Sequence, residues 1–132
     1  MFEKFHFTQK QIDQYLAAAL RDKKIAVDSA APEVIFHFCY NCLIKLGMAV
    51  CAENGLRVKA RQGHHLELIK KLAECLGDND IQTIMDKMRQ KRNWDLYGGG
   101  TVITGTEAKE YLVRTEEIVA LGEKYFLRKR LV

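Results

Sequence analysis

The chain has 132 residues, of which 48% are apolar and 29% charged, and its formal net charge is +4. This length fits one domain covering residues 1–132, and the apolar content is too high for a disordered chain. Uninterrupted apolar runs are too short for a membrane span, and "MFEKFHFTQKQ" lacks the apolar region of a signal peptide. We therefore expect a cytoplasmic protein with no membrane partner, whose mild positive charge suits a local phosphate or polyanion site.

Apolar residues recur at spacings of three and four with little strand-like alternation, which predicts an all-α fold. The first helix is predicted over residues 8–25, with Thr8 as its N-cap. The second is predicted over residues 32–54, with Pro32 in its first turn. It is apolar almost all round, so we expect it to be the central, most buried helix. Residues 56–63 are predicted to form a basic connector.

Three further helices follow. "HHLELIKKLAECLG" predicts the third helix, and Asp78 is the expected cap of a fourth helix over about 79–97. Thr104 and Glu107 have the spacing of a capping box, which predicts a fifth helix over about 105–128. Five helices with short links indicate an antiparallel up-and-down bundle of four main helices plus one peripheral helix.

The cysteines and histidines give no sign of a metal or cofactor. Cys39 and Cys42 form a C-x-x-C pair, which can mark a redox site or half of a zinc site. However, the pair lies in a predicted helix without a βαβ pattern, and no second C-x-x-C follows. We predict that the cysteines pack in the core, and that the protein binds no metal and no cofactor.

The stretch "KMRQKRNWDLYGGG" at residues 87–100 carries the candidate site. It continues an apolar helical stripe formed by Ile81, Ile84, Met85 and Met88. The next position on this stripe is Arg92, so a guanidinium points where core side chains point. Because burying an unpaired charge is costly, Arg92 should have an anionic partner or line a wet cleft. Periodicity leaves two alternatives open: a pair with Asp95 that seals the bundle, or a groove that binds phosphate or carboxylate.

Other polar residues accompany Arg92. The basic residues Arg89 and Lys91 lie in the same helix, and Arg61 belongs to the basic connector. His64 begins the third helix, where it either contacts a ligand or, with the next histidine, caps or packs the helix start. His37 lies within the most apolar helix, and we predict that it is a hydrogen-bonded core residue.

Two motifs resemble those of the HEPN (higher eukaryote and prokaryote nucleotide-binding) superfamily. "RQKRNWDLYGG" resembles its Arg-Asn signature, which a His or Tyr follows a few residues later, and "GHHLELIKKL" resembles the Gly-His-x-Leu start of its third helix. The resemblance covers nearly the whole chain. It implies a HEPN-like bundle that forms a homodimer around a shared basic cleft. Arg92, Asn93 and Tyr97 would face RNA or a nucleotide, and Trp94 would lie at the dimer interface.

The resemblance also implies a function. Many HEPN proteins are metal-independent RNases of toxin–antitoxin or defence systems, often paired with a minimal nucleotidyltransferase. Catalytic members have His where this chain has Tyr97, and an ordinary phenol is only about one part in a thousand ionised at pH 7. We therefore expect binding of RNA or a nucleotide. The alternatives are an endoribonuclease that uses Arg92, Asn93 and Tyr97, and a non-catalytic helical adaptor whose motif only stabilises the dimer.

Overall fold

The computed structural model describes residues 2–59, 63–97 and 103–131, including the side chains of all of these except residues 94–97. Within these residues it contains five helices and two short strands: α1 (Gln9–Asp28), α2 (Pro32–Glu53), α3 (His64–Leu76), α4 (Asn79–Tyr97), α5 (Gly105–Arg130), β1 (Phe2–Lys4) and β2 (Leu56–Val58). The prediction of an all-α fold is confirmed at the level of fold class, because the five helices carry the structure. One small two-stranded sheet accompanies them.

The helices begin where local chemistry predicted, but α1 continues past its predicted end at residue 25 to Asp28. Thr8 and Thr104 each form a capping box, with the N–H three residues later donating to the threonine Oγ1 at 3.2 and 3.1 Å. Pro32 is the first residue of α2, where its missing N–H costs no hydrogen bond. Asp78 accepts a hydrogen bond of 2.9 Å from a backbone N–H at the start of α4. Gly77 ends α3 with a φ of +69°, a conformation that favours glycine.

Helix α2 is the centre of the protein, as predicted. It contacts the other four helices. Six of its residues are completely buried: Cys39, Cys42, Leu43, Leu46, Ala49 and Val50. Among the described residues, α2 is the one helix long and apolar enough to cross a membrane. However, 67% of its most apolar segment is buried inside the protein. This is the environment of a core helix, and it is compatible with a soluble protein.

The sheet is the element that the sequence did not predict. Strand β1 pairs antiparallel with β2, and Phe2 lies opposite Val58. Arg57 donates from Nε to the Glu3 carboxylate at 2.6 Å, and its guanidinium lies 4.4 Å from the ring centroid of Phe5. Part of the predicted basic connector is therefore a strand. Three-residue strands so far apart in the chain produce no local signal, because their pairing is a tertiary contact.

The cysteines pack in the core, as predicted. Cys39, Cys42 and Cys51 are buried and Cys75 is half-buried, and all four are free thiols. Burial raises the pKa of Cys39 to about 11 and that of Cys42 to about 12. Because the thiolate is the reactive and metal-binding form, this environment suits packing better than redox chemistry.

Candidate functional site

Arg92 faces the protein interior, in the direction that the apolar stripe indicated. Ile81, Met85 and Met88 are completely buried on the same face of α4. One turn later, the guanidinium carbon of Arg92 lies 5.5 Å from the ring centroid of Tyr40 in α2. Its Nε atom is buried and has no hydrogen-bond partner among the described groups. The end of α4 therefore presents a cation to α2 with part of its hydrogen-bonding capacity unused.

The neighbouring basic residues of α4 are already paired. Arg89 contacts Asp86 at 2.9 Å, and Lys91 contacts Glu107 of α5 at 2.6 Å. The hydrogen bond between Lys91 and Glu107 raises the pKa of the amine and lowers that of the carboxyl. For Arg92, no such carboxylate occurs among the side chains that the structure describes. Of these three residues, Arg92 is therefore the one best placed to bind an external anion.

A small pocket of about 40 Å³ lies between the N-terminal half of α2 and the end of α4. It has space for a few water molecules or one small polar group. Its polar lining comes from Glu33, His37 and Tyr40 on one side and from Lys91 and Arg92 on the other. The sequence motif predicted the basic side of this pocket, while the side contributed by α2 was not predicted.

His37 corrects one sequence-based prediction. It forms the expected hydrogen bond, with its Nε2 atom 3.2 Å from the Asn41 side-chain amide, but it lies on the exposed surface and not in the core. Helix α2 has a polar strip, because Glu33, His37 and Asn41 recur every four residues and so share one face. This spacing was the sequence signal that could have placed His37 on a polar face of α2, whereas the contact of that face with the Arg92 pocket depends on tertiary packing.

Tyr40 joins the site to α3. Its hydroxyl lies 2.9 Å from Nδ1 of His65, whose ring centroid is 4.5 Å from that of His64. Burial raises the pKa of Tyr40 to about 12. Burial, and then the charges of His64 and Arg92, lower the pKa of His65 to about 4. Both groups are therefore uncharged at neutral pH. His65 thus packs the start of α3 against Tyr40, with the ring of His64 beside it. In the sequence, Tyr40 looks like an ordinary core residue.

Of the remaining predicted site residues, the structure describes the side chain of Asn93 but not those of the other motif residues. Asn93 is half-buried next to Arg92. The side chains of Trp94, Asp95 and Tyr97, and the whole of Arg61, lie outside the described part of the chain. Their proposed roles therefore stay predictions. Within the described residues, no group of three or more His, Cys, Asp or Glu side chains is placed to hold a metal ion.

Comparisons with known proteins do not assign this site. No family model matches the chain, and no match was found among curated proteins or solved structures. The function is therefore inferred from the chemistry of the pocket, together with the resemblance in sequence.

Proposed function

We propose that this protein binds RNA or a nucleotide, with Arg92 holding a phosphate. The observation that carries this proposal is the guanidinium over Tyr40, whose buried Nε has no partner among the described groups and which lines an open pocket. A buried donor left without a partner is costly, so a ligand that accepts its hydrogen bond is stabilised. Phosphate suits the planar fork of a guanidinium, which can donate two parallel hydrogen bonds.

The surrounding residues extend the proposed contact. Arg89 and Lys91 add positive charge at the end of α4, although each is shared with a carboxylate. Asn93 and Tyr97 are the other motif residues, and an amide and a phenol suit hydrogen bonds to phosphate or stacking on a base. Arg61 and His64 complete the set of residues that we assign to the nucleic-acid surface.

The resemblance in sequence supports a more specific setting. We propose a HEPN-like bundle with one peripheral helix, which forms a homodimer with two Arg92 side chains around a shared cleft. It would act with a minimal nucleotidyltransferase in a toxin–antitoxin or defence system. In support, the Arg-Asn motif lies late in the fourth of five helices, at the position the resemblance implies.

Fluorescence anisotropy with a labelled RNA oligonucleotide tests the role of Arg92. We expect Arg92→Ala to weaken binding by about 10- to 100-fold, because charge-assisted hydrogen bonds are lost. Arg21→Ala removes the same charge from an exposed site on α1 and should change the affinity less than about twofold. Binding by the wild type should also weaken steeply with salt. Equal affinities for wild type and Arg92→Ala would refute the assignment.

A second function, metal-independent endoribonuclease, is favoured by one observation. The imidazole of His37 lines the Arg92 pocket, so Tyr97 is not the sole candidate for proton transfer. Incubating RNA in EDTA with wild type and Arg92→Ala separates the two functions. Cleavage that the variant loses supports the enzyme, while RNA binding without cleavage supports a binding protein. If the wild type neither binds nor cleaves RNA but still forms a dimer, the helical adaptor is the remaining function.

A further inference from the structure

Glu33 is an unexpected residue in a phosphate pocket. It lies in the first turn of α2, is exposed, and makes no hydrogen bond or ion pair within the described part of the protein. It nevertheless lines the same pocket as Arg92. Opposite charges that face one pocket without pairing leave a space with a positive and a negative side. Phosphate alone fits this space poorly, because the carboxylate repels it.

The chemistry of a carboxylate narrows the choice of ligand. An ionised carboxylate only accepts hydrogen bonds, so the group that faces Glu33 must be a donor. The ligand should therefore carry an O–H or N–H group close to its phosphate. In a nucleic acid the donor closest to the backbone phosphate is the ribose 2′-hydroxyl, which DNA lacks. The pocket volume of about 40 Å³ also suits a hydroxyl group better than a whole base.

His37 supplies a second group on the same face, one helical turn after Glu33. Its Nε2 atom is held by the Asn41 amide at 3.2 Å, which leaves Nδ1 as the ring nitrogen available to a ligand. An amide presents either its oxygen or its NH₂ group after a half rotation. Asn41 can therefore hold the imidazole whether Nδ1 accepts or donates a hydrogen bond.

We infer that Glu33 and His37 bind the 2′-hydroxyl of the ribose whose phosphate is held by Arg92, so that the pocket selects RNA over DNA. This inference rests on the proposed function and adds the group that distinguishes the two nucleic acids. Arg92 binds the phosphate of RNA or DNA alike, while Glu33 and His37 on α2 supply the preference for RNA.

Three oligonucleotides of one base sequence test the inference: RNA, its 2′-deoxy form and its 2′-O-methyl form. The methyl form keeps the 2′-oxygen and loses the donor, so it should bind as weakly as the 2′-deoxy form. Glu33→Ala should lower the ratio of RNA to DNA affinity by about fivefold or more. Its affinity for DNA should stay equal or rise, because a charge that repels phosphate is removed. Glu123→Ala, at an exposed position of α5, is the matched control and should keep the wild-type ratio.

The outcomes separate this inference from the function on which it depends. If Arg92→Ala weakens binding while wild type binds all three oligonucleotides equally, 2′-hydroxyl recognition is refuted and phosphate binding stands. A preference for RNA that persists in Glu33→Ala refutes the role of Glu33 in the same way. Absence of RNA binding by wild type refutes both. An acidic residue in the first turn of α2 also stabilises the helix. Circular dichroism and thermal melting of Glu33→Ala therefore serve as controls, and wild-type values show that the variant does not act by destabilising this turn.

Discussion

Tyr40 connects the two halves of the candidate site. Its buried ring lies under the Arg92 guanidinium, and its hydroxyl bonds to His65 at 2.9 Å. A cation over an aromatic face is attracted by the ring, more strongly where water is excluded. One core side chain thus positions a cation from α4 and an imidazole from α3. An aromatic residue in an apolar helix indicates only packing in the sequence, so this role became visible from the tertiary contacts.

His65 should make the stability of the protein depend on pH. Burial, followed by the charges of His64 and Arg92, lowers its pKa from the usual 6.5 to about 4. Between these values the unfolded chain binds more protons than the folded one, so stability is full above pH 6.5 and falls as the pH drops toward 4. Because the side chain is only half-buried, we expect the free energy of unfolding to fall by only about 1–2 kcal/mol over this range. Urea unfolding at pH 7.0 and 4.5 measures the difference.

His65→Gln is the informative variant. Glutamine can still hydrogen-bond to the Tyr40 hydroxyl but does not titrate, so the difference in unfolding free energy between the two pH values should shrink. His6→Gln, near the N-terminus and outside this cluster, should retain the wild-type difference. An unchanged pH dependence in His65→Gln would show that other groups control acid unfolding.

At the scale of the helices, the sequence predicted what local interactions determine. The N-caps at Thr8 and Thr104, the proline start of α2 and the glycine end of α3 all depend on neighbours within a few residues. Periodicity likewise placed Arg92 on the inward face of α4. The strand pairing of β1 and β2, and the residues of α2 that meet Arg92, depend on how distant segments pack. Helical periodicity says which face is inward and does not say which helix covers it.

Gly122 tests the contact between α2 and α5. A Cβ atom at this position would lie 2.9 Å from Cδ1 of Leu46, which is completely buried and cannot move into solvent. We expect Gly122→Ala to lower the free energy of unfolding by roughly 1–3 kcal/mol, because the packed helices must separate. Chemical denaturation measures the change.

Gly105→Ala is the matched control for this substitution. Gly105 is the first residue of α5, and a methyl group added there would meet no described atom within 4 Å beyond its immediate chain neighbours. Alanine should be neutral or stabilising there by up to about 1 kcal/mol, since it favours the helix. If Gly122→Ala behaves like Gly105→Ala, the two helices tolerate a wider separation than their contact indicates.

For the whole molecule, the pocket lies where α2 meets the end of α4. Glu33, His37 and Tyr40 come from α2 and Arg92 from α4. Next to the pocket, the ion pair of Lys91 with Glu107 ties α4 to the start of α5. The motif residues after Arg92 continue to the end of α4. A second copy of the chain that packs against this end would therefore cover the region that we propose binds the ligand. Dimerisation and ligand binding should accordingly be coupled.

Trp94, the single tryptophan, is the residue with which to test that coupling. Tryptophan is a frequent hot spot of interfaces, so Trp94→Ala should weaken the proposed homodimer by at least about tenfold. Sedimentation velocity over a concentration series measures this change, and RNA affinity should fall in parallel if two copies share the cleft. Leu127→Ala removes an exposed apolar side chain from α5 and should affect neither property. A wild type that stays monomeric at about 100 µM, where a dimer with a Kd of about 1 µM would be almost fully formed, would refute the homodimer and the interface role of Trp94.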